Sequence, residues 1–132
     1  MKNHTLIYDG NELFGFGNND CGELGLGDTI NRNVPTLMMT DKSIRKIICG
    51  MNHTLILKES GELFAFGCND EGRLGLGDNI DRNVPTLMMT DKKIRKIICG
   101  AFHTFILKES GELFFFGSNY YGQLGLDDDI NI

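Results

Sequence analysis

The sequence predicts an all-β fold in which a unit of four short antiparallel strands is repeated along the chain. The main observation is an internal repeat: residues 31–50 read NRNVPTLMMTDKSIRKIICG, and residues 81–100 read DRNVPTLMMTDKKIRKIICG, a period of 50 residues. A fixed period of this length indicates one supersecondary unit stacked on copies of itself. The apolar runs are short, and the chain has 17 glycines, which favours strands and turns over helices.

The central copy predicts four strands in a fixed order, at 44–50, 53–57, 62–66 and 84–89. Each run is shorter than the ~10–12 residues that indicate a helix, and the nearly continuous apolar character predicts a sheet covered on both faces. Gly61 lies in the turn between the second and third strands, where a tight hairpin needs a positive φ. The first copy has Asp9-Gly10 there and is one residue shorter, so the difference falls in a turn and preserves the strand register.

A glycine-rich loop between the third and fourth strands recurs at 17–28, 67–78 and 117–128. Leu24, Leu74 and Leu124 occupy the same position in the three copies, which predicts a loop that packs onto its neighbour. A phosphate-binding loop is the alternative, but neither G-x-x-x-x-G-K-[ST] nor G-x-G-x-x-G occurs. The loop is therefore interpreted as a structural element.

Four short antiparallel strands in about 50 residues are typical of one β-propeller blade. The pattern resembles the regulator of chromosome condensation repeat, and the matching residues of the central copy are Ile44, Ile47, Gly50, His53, Thr54, Leu57, Gly61, Leu63, Phe64, Phe66, Gly67, Asn69, Gly72, Leu74, Gly75, Gly77, Asp78 and Pro85. The third copy also keeps Gln123. The family's usual tryptophan is phenylalanine here, and Asp127 stands where the other copies have Gly27 and Gly77. The resemblance implies propeller blades over essentially the whole chain.

The sequence predicts a single domain, 1–132, with repeat units at about 1–43, 44–93 and 94–132. These units carry three, four and three strands, or about two and a half blades, where the resemblance implies about seven. We therefore expect an incomplete propeller whose apolar end faces include Phe14, Phe16, Phe114, Phe115 and Phe116. Such a chain is a fragment of a longer product, a subunit of a head-to-tail assembly, or an arc that docks onto a different protein.

Composition narrows the partners and the compartment. The net charge of −5 argues against nucleic acid as a partner, although Arg45-Lys46, and Lys92-Lys93 with Arg95-Lys96, form local basic patches. No apolar run reaches the ~20 residues of a membrane span, so we expect an intracellular protein, in the cytoplasm or nucleus, with no membrane partner. Two of the four cysteines occupy equivalent repeat positions, which predicts buried free thiols in a reducing compartment rather than a disulfide framework. The four are Cys21, Cys49, Cys68 and Cys99.

Histidine recurs at one position in all three copies, as His4, His53 and His103, and Cys49 and Cys99 lie four residues before two of them. A Cys-x-x-x-His pair is a possible zinc site. Each copy supplies only two ligands, however, where structural zinc takes four. The resemblance implies instead that this histidine is structural and forms hydrogen bonds between strands.

Aspartate follows the glycine-rich loop in each copy, as Asp28, Asp78 and Asp128. Such residues either bind calcium or cap the turn, and capping is the interpretation adopted here. No Ser/His/Asp or paired-carboxylate set occurs outside the repeated scaffold. The sequence therefore predicts a protein that is not an enzyme and that uses no metal or cofactor.

The copies differ most at the tip of the glycine-rich loop, where the scaffold constrains them least. We expect these tips to line one face and to bind a protein partner through Asp20, Asp70, Glu71, Arg73, Tyr120 and Tyr121. Neutral variation of exposed loops is the alternative interpretation.

The function predicted from these features is a non-catalytic protein–protein interaction or scaffold module. The resemblance implies a second function, guanine-nucleotide exchange on a small GTPase of the Ran type, although the minimal repeat carries no wedge-like insertion. It also implies chromatin binding, which the acidic charge disfavours. A further alternative is a structural protein that assembles with further copies of itself.

Overall fold

The computed structural model describes residues 3–117, which form ten strands in three antiparallel sheets. The first sheet has the order β1 (His4–Tyr8), β2 (Glu12–Gly17) and β3 (Arg32–Thr40). The second has the order β4 (Ile44–Cys49), β5 (His53–Lys58), β6 (Glu62–Gly67) and β7 (Arg82–Thr90). The third has the order β8 (Ile94–Cys99), β9 (His103–Lys108) and β10 (Leu113–Gly117). Asp70–Gly72 forms one 3-10 turn, and within the described range no helix has the length and hydropathy needed to cross a membrane.

The middle sheet confirms the four strands predicted for the central copy. Its hairpin between β5 and β6 turns at Gly61, which has a φ of +91°. The shorter hairpin of the first sheet turns at Gly10, with a φ of +96°, and both hairpins still pair their histidine with the glycine that ends the next strand. The length difference is therefore absorbed in the turn, as expected. β7 begins two residues earlier than the predicted strand, and Pro85 is tolerated because it lies in a register shift on an edge strand.

Two apolar layers hold the three sheets together. The layer between the first and second sheets contains Leu13, Ile44, Ile56 and Phe66. The layer between the second and third sheets contains Leu55, Leu57, Leu63, Ala65, Leu74, Ile94, Ile97 and Ile106. The middle sheet is therefore covered on both faces, as its apolar runs predict. Leu74 belongs to the glycine-rich loop, so the prediction that this loop packs onto its neighbour is also confirmed.

The phenylalanines of the third sheet face in two directions. Phe114 and Phe116 pack against the layer shared with the second sheet, so the expectation that both lie on an end face is wrong. Alternate residues of a strand point to opposite sides of a sheet, and Phe115 lies on the other side. Its ring is perpendicular to that of Phe105, with the centroids 5.1 Å apart, and both line a groove on that side.

Candidate interaction face

A hydrogen-bond relay joins the first sheet to the second and to the loop after β2. Nε2 of His4, on β1, lies 2.8 Å from Oγ1 of Thr54, on β5. The Thr54 hydroxyl donates to the backbone carbonyl of Glu23 at 2.8 Å. Because this hydroxyl has a single hydrogen, the His4 imidazole must be the donor at Nε2. All three residues are buried, so the relay holds the loop against the second sheet.

The same relay recurs one repeat later, where Nε2 of His53 lies 3.0 Å from Oγ1 of Thr104, which donates to the Arg73 carbonyl at 2.8 Å. Burial lowers the pKa of His4 to about 4 and the pKa of His53 to about 3. Both imidazoles are therefore neutral near pH 7. This arrangement agrees with the structural role that the resemblance implies for this histidine.

The loops after β2 and β6 share one internal frame, built around a buried asparagine. Nδ2 of Asn69 donates to the carbonyls of Asp78 and Ile80, at 3.0 and 3.1 Å, and its Oδ1 accepts from the Leu74 N–H at 2.9 Å. Asn19 makes the equivalent bonds in the first loop. Both asparagines are fully buried, so the two loops are anchored in the same way. Their tips differ, because Glu71 has a positive φ and the equivalent Cys21 does not.

Aspartate caps the turn at the end of each described loop, as predicted. Oδ1 of Asp78 accepts from the Ile80 N–H at 3.0 Å, and its Oδ2 pairs with Arg82 at 2.8 Å. Asp28 and Arg32 repeat this arrangement at 2.8 Å. The hydrogen bond from Arg82 holds the pKa of the Asp78 carboxyl below its usual range. These carboxylates are therefore engaged by the loop and by the first residue of the following strand.

Three of the residues predicted to bind a partner lie at the two tips. Asp20 and Asp70 are exposed, whereas Glu71 is half-buried and has a left-handed φ of 66°. Oε2 of Glu71 is buried and has no hydrogen-bond partner among residues 3–117. An open cleft of about 500 Å³ lies beside Glu71 and is also lined by Asn79 and Phe116. At the equivalent place beside the first loop, Gly22 and Gly27 lie against Asn83 and Val84 of β7. The cleft therefore corresponds to a surface that receives the fourth strand of a neighbouring sheet.

Arg73 and Glu23 occupy equivalent positions near the tips, but their side chains turn inward. Arg73 is only 3% exposed, and its guanidinium donates to the Ala101 carbonyl at 3.0 Å and lies over the Phe102 ring. Glu23 is fully buried and accepts a hydrogen bond from the Asn18 side chain. The prediction that Arg73 lies on the exposed face is therefore wrong, because the guanidinium is used to contact the next sheet.

Cys21 and Cys68 form a disulfide between the first loop and the start of the second, with their Cα atoms 4.8 Å apart. The prediction of free thiols is therefore wrong for this pair, which occupies two different repeat positions that meet across the boundary. Cys49 and Cys99 are free, as predicted, but Cys49 is exposed rather than buried. Asp81 lies close enough to complete a set of three metal ligands with the pair, all within 4.8 Å. The disulfide removes both thiolates from that set.

Tyr120 and Tyr121, also predicted to bind a partner, lie outside the described residues, as does Asp128. Within those residues, the sequence interpretation missed Ile30 and Ile80, which are each 65% exposed beside the tips. The signal that could have found them is an apolar residue recurring two positions after the capping aspartate. The two isoleucines occupy equivalent places after the two loops, where their side chains are available for contact with a partner.

Protein-family models with the description "Regulator of chromosome condensation (RCC1) repeat" match the chain. One matches residues 10–57 and 60–107, and a second matches residues 44–73 and 94–123. Both models therefore match twice.

Three curated proteins are similar to the chain over short stretches. It is 37% identical over 62 residues to Ras guanine nucleotide exchange factor C of Dictyostelium discoideum, and 38% identical over 59 residues to X-linked retinitis pigmentosa GTPase regulator of Canis lupus familiaris. It is 37% identical over 59 residues to F-box only protein 24 of Homo sapiens. The stretches cover 46%, 42% and 44% of this chain, but 4%, 6% and 10% of the relatives.

Solved structures show the same fold at low sequence identity. Yeast RCC1 (Prp20), in a structure with Kap60, matches with a TM-score of 0.84 at 22% identity, and Prp20p from Saccharomyces cerevisiae matches with 0.82 at 22%. Human WBSCR16 matches with 0.78 at 24%. Each match covers 98% of this chain and 33–35% of the other. The stacked sheets are therefore propeller blades, as predicted, and those described do not close into a ring.

Proposed function

Since the chain belongs to the regulator of chromosome condensation repeat family, we propose that it is a non-catalytic interaction module that binds a protein partner through its loop tips. The observation that carries this proposal is the common frame of the two loops. Asn19 and Asn69 anchor the two loops by equivalent hydrogen bonds, while the tips differ in sequence and in backbone conformation. A rigid scaffold that presents variable loops is the usual arrangement of a binding surface.

The chemistry of the tips suggests the kind of surface that the partner presents. The exposed carboxylates are Asp20 and Asp70, with Glu71 beside the cleft, and the exposed apolar side chains are Ile30 and Ile80. We name these five residues the loop face. A face that carries both carboxylates and apolar side chains favours a partner with basic and apolar side chains, because buried apolar area provides affinity while charge complementarity provides specificity.

The test compares proteins captured by the immobilised chain with those captured by the Asp20→Lys/Asp70→Lys variant, using quantitative mass spectrometry. The proposal expects a set of proteins that is lost with this variant. The control is Glu59→Lys/Glu109→Lys, which makes the same charge change at two exposed turns. Equal retention of every protein by both variants would contradict the proposal.

Regulation of a small GTPase is a second candidate, supported by the names of two similar proteins, a Ras guanine nucleotide exchange factor and a GTPase regulator. The chain spans at most 6% of either protein, so the similarity concerns the repeats alone. The assay is the release of labelled GDP from a Ran-type GTPase. Faster release in the presence of the chain would replace the interaction-only proposal, whereas an unchanged rate leaves that proposal in place.

Self-association is a third candidate, supported by the apolar groove on the third sheet. The groove is lined by Ile98, Phe105, Leu107, Leu113 and Phe115. The equivalent positions of the middle sheet lie at its contact with the third sheet, so the groove presents a surface that receives another sheet of this type. Light scattering should give a mass above 14.7 kDa, reduced to that value by Leu113→Lys. A mass of one chain for both proteins excludes this candidate.

A further inference from the structure

The acidic chain concentrates its positive charge in two equivalent segments. Seven of its 13 basic residues lie within 42–49 and 92–99, and none of its 18 acidic residues does. All seven are exposed, and they are Lys42, Arg45, Lys46, Lys92, Lys93, Arg95 and Lys96. Since the net charge is −5, this distribution is a local feature that the overall composition conceals.

The fold brings four of these side chains together, Arg45, Lys46, Arg95 and Lys96, which we name the basic strip. They lie on β4 and β8, the edge strands of the second and third sheets, which contact each other. A register shift at Arg45, repeated at Arg95, places two residues opposite one of the neighbouring strand. Such a bulge re-aims side chains, and all four line one small cavity between the strands.

Carboxylates near the strip are already engaged elsewhere. Asp41 pairs with Lys58, and Asp91 pairs with Lys108, each at 2.9 Å. Within residues 3–117, the ion pairs therefore leave the strip without a carboxylate partner. Like charges that face one another without compensation attract an anionic ligand.

Protection against edge-to-edge pairing is a simpler explanation for charge on an edge strand. It accounts for charge on β4 and on β8 separately. The near-identity of the two copies accounts for the same sign on both strands. Edge protection does not require that four like charges line one cavity without a carboxylate partner among residues 3–117. This clustered charge favours an anionic ligand in addition to edge protection.

We propose that the basic strip binds a short acidic peptide segment of a partner protein. This is a second surface, distinct from the loop face. Arginine binds carboxylate groups in bidentate geometry, and an extended peptide places alternate side chains on one side. A short peptide is favoured over nucleic acid because the net charge of −5 opposes binding of a long polyanion.

The test measures fluorescence anisotropy of a labelled oligoglutamate peptide with the whole chain, at low and at physiological (~0.15 M) ionic strength. We expect binding that weakens with salt and that falls roughly fivefold to tenfold in Arg45→Gln/Arg95→Gln, from the loss of two exposed charge contacts. Lys46→Gln/Lys96→Gln provides a second variant pair. Glu59→Gln/Glu109→Gln, at exposed turns, should retain full binding, and circular dichroism verifies that each variant folds.

Three results would overturn the proposal. An absence of peptide binding at low salt would show that the charges of the basic strip serve only to protect the strand edges. Equal binding of a thymidine oligonucleotide of matched charge would identify a general polyanion surface. Equal loss of binding in the strip and turn variants would place the peptide elsewhere. Peptide binding and capture at the loop face are separate readouts, so the two proposals fail independently.

Discussion

Nε2 of His53 on β5 and Oγ1 of Thr104 on β9 lie 3.0 Å apart, joining the second sheet to the third. The Thr104 hydroxyl donates a hydrogen bond to the Arg73 carbonyl at 2.8 Å. This buried polar relay therefore fixes the spacing of the second and third sheets, and it also fixes the position of the loop that follows β6 of the second sheet. Its counterpart at His4 and Thr54 does the same at the preceding boundary.

Replacing Thr104 with valine should lower the free energy of unfolding by about 2–3 kcal/mol, since the change leaves the His53 N–H and the Arg73 carbonyl buried without partners. Urea unfolding followed by circular dichroism measures the loss. Thr40→Val, at an exposed position of β3, is the control and should change stability by less than about 0.5 kcal/mol. Equal losses of stability in the two variants would show that the hydrogen-bond relay does not stabilise the fold.

Stability should fall as the pH decreases from about 7 to 5. The pKa of His4 is lowered to about 4 and that of His53 to about 3, from 6.5. Below pH 6.5 the unfolded chain binds protons at these histidines and the folded chain does not. The contribution of the neutral imidazoles to the free energy of unfolding is therefore complete above pH 6.5. It falls below pH 6.5 by about 1.4 kcal/mol per pH unit for each histidine. Burial raises the pKa of Glu23, whose protonation opposes this loss at lower pH.

Urea unfolding at several pH values in this window checks the prediction. His53→Gln should lower stability at neutral pH but reduce the pH slope by about half, since one of the two titrating groups is removed. A slope that is unchanged in this variant, or a flat profile in the original protein, would show that these imidazoles do not control acid sensitivity.

Gly22→Ala should destabilise the boundary between the first two sheets. Gly22 has a φ of +86°, and a Cβ at this position would overlap the backbone of Asn83 on β7. Gly27→Ala is a matched control in the same loop, because its φ is +85° but the nearest atom, on Val84, lies 4.0 Å away. Both variants carry the backbone strain, and Gly22→Ala should lose about 1–3 kcal/mol more because of the overlap. Thermal unfolding measures the stability of both variants. Equal losses of stability would show that the loop moves aside to accommodate the Cβ atom, which contradicts the prediction.

Arg73→Gln should reduce stability by about 2 kcal/mol, because it removes a charged donor from the Ala101 carbonyl and a cation from the Phe102 ring. Capture of a partner at the loop face should not change, since the guanidinium is buried. Urea unfolding and the capture assay measure the two effects. If the variant lost binding of the captured partner but kept its stability, Arg73 would belong to the binding surface after all.

The Cys21–Cys68 disulfide should stabilise the oxidised protein over the reduced one. It closes a segment with a sequence separation of 47, which corresponds to about 4 kcal/mol of loop-closure entropy in the unfolded chain. Unfolding with and without dithiothreitol measures the difference. Cys21→Ser should abolish the effect of the reductant and Cys49→Ser should preserve it. Equal stability under both conditions would mean that the bond does not form in solution.

The strands and the stacking of the sheets could be predicted from the sequence because repetition averages the signal over several copies. β5 illustrates this: a β-branched and apolar run, bounded by turn residues, becomes a strand buried on both faces. The resemblance also implied a structural role for the repeated histidine, and His4 and His53 fill that role in buried relays. Residues that serve the scaffold are identical between copies, and identity is visible in a single sequence.

The inward direction of Arg73 was not predictable, because its side chain is held by a neighbour that its own repeat does not identify. Glu23 differs in that its carboxylate is held by Asn18 and Cys21 of its own loop. Arg73 contacts the Ala101 carbonyl of the next unit, and nothing in the spacing within one repeat indicates that contact. The disulfide has the same origin. Cys21 and Cys68 occupy different repeat positions, which meet only when one unit packs against the next.

Photo-crosslinking from Asn79, next to Ile80 of the loop face, tests the central claim most directly. A photoreactive residue at the exposed Asn79, beside the cleft, is irradiated in an extract of the source cells, and the same residue at the exposed Glu59 serves as the control. The account predicts a discrete crosslinked protein from position 79 and none from position 59. The same crosslinked products from both positions, or none from position 79, would contradict a partner-binding loop face.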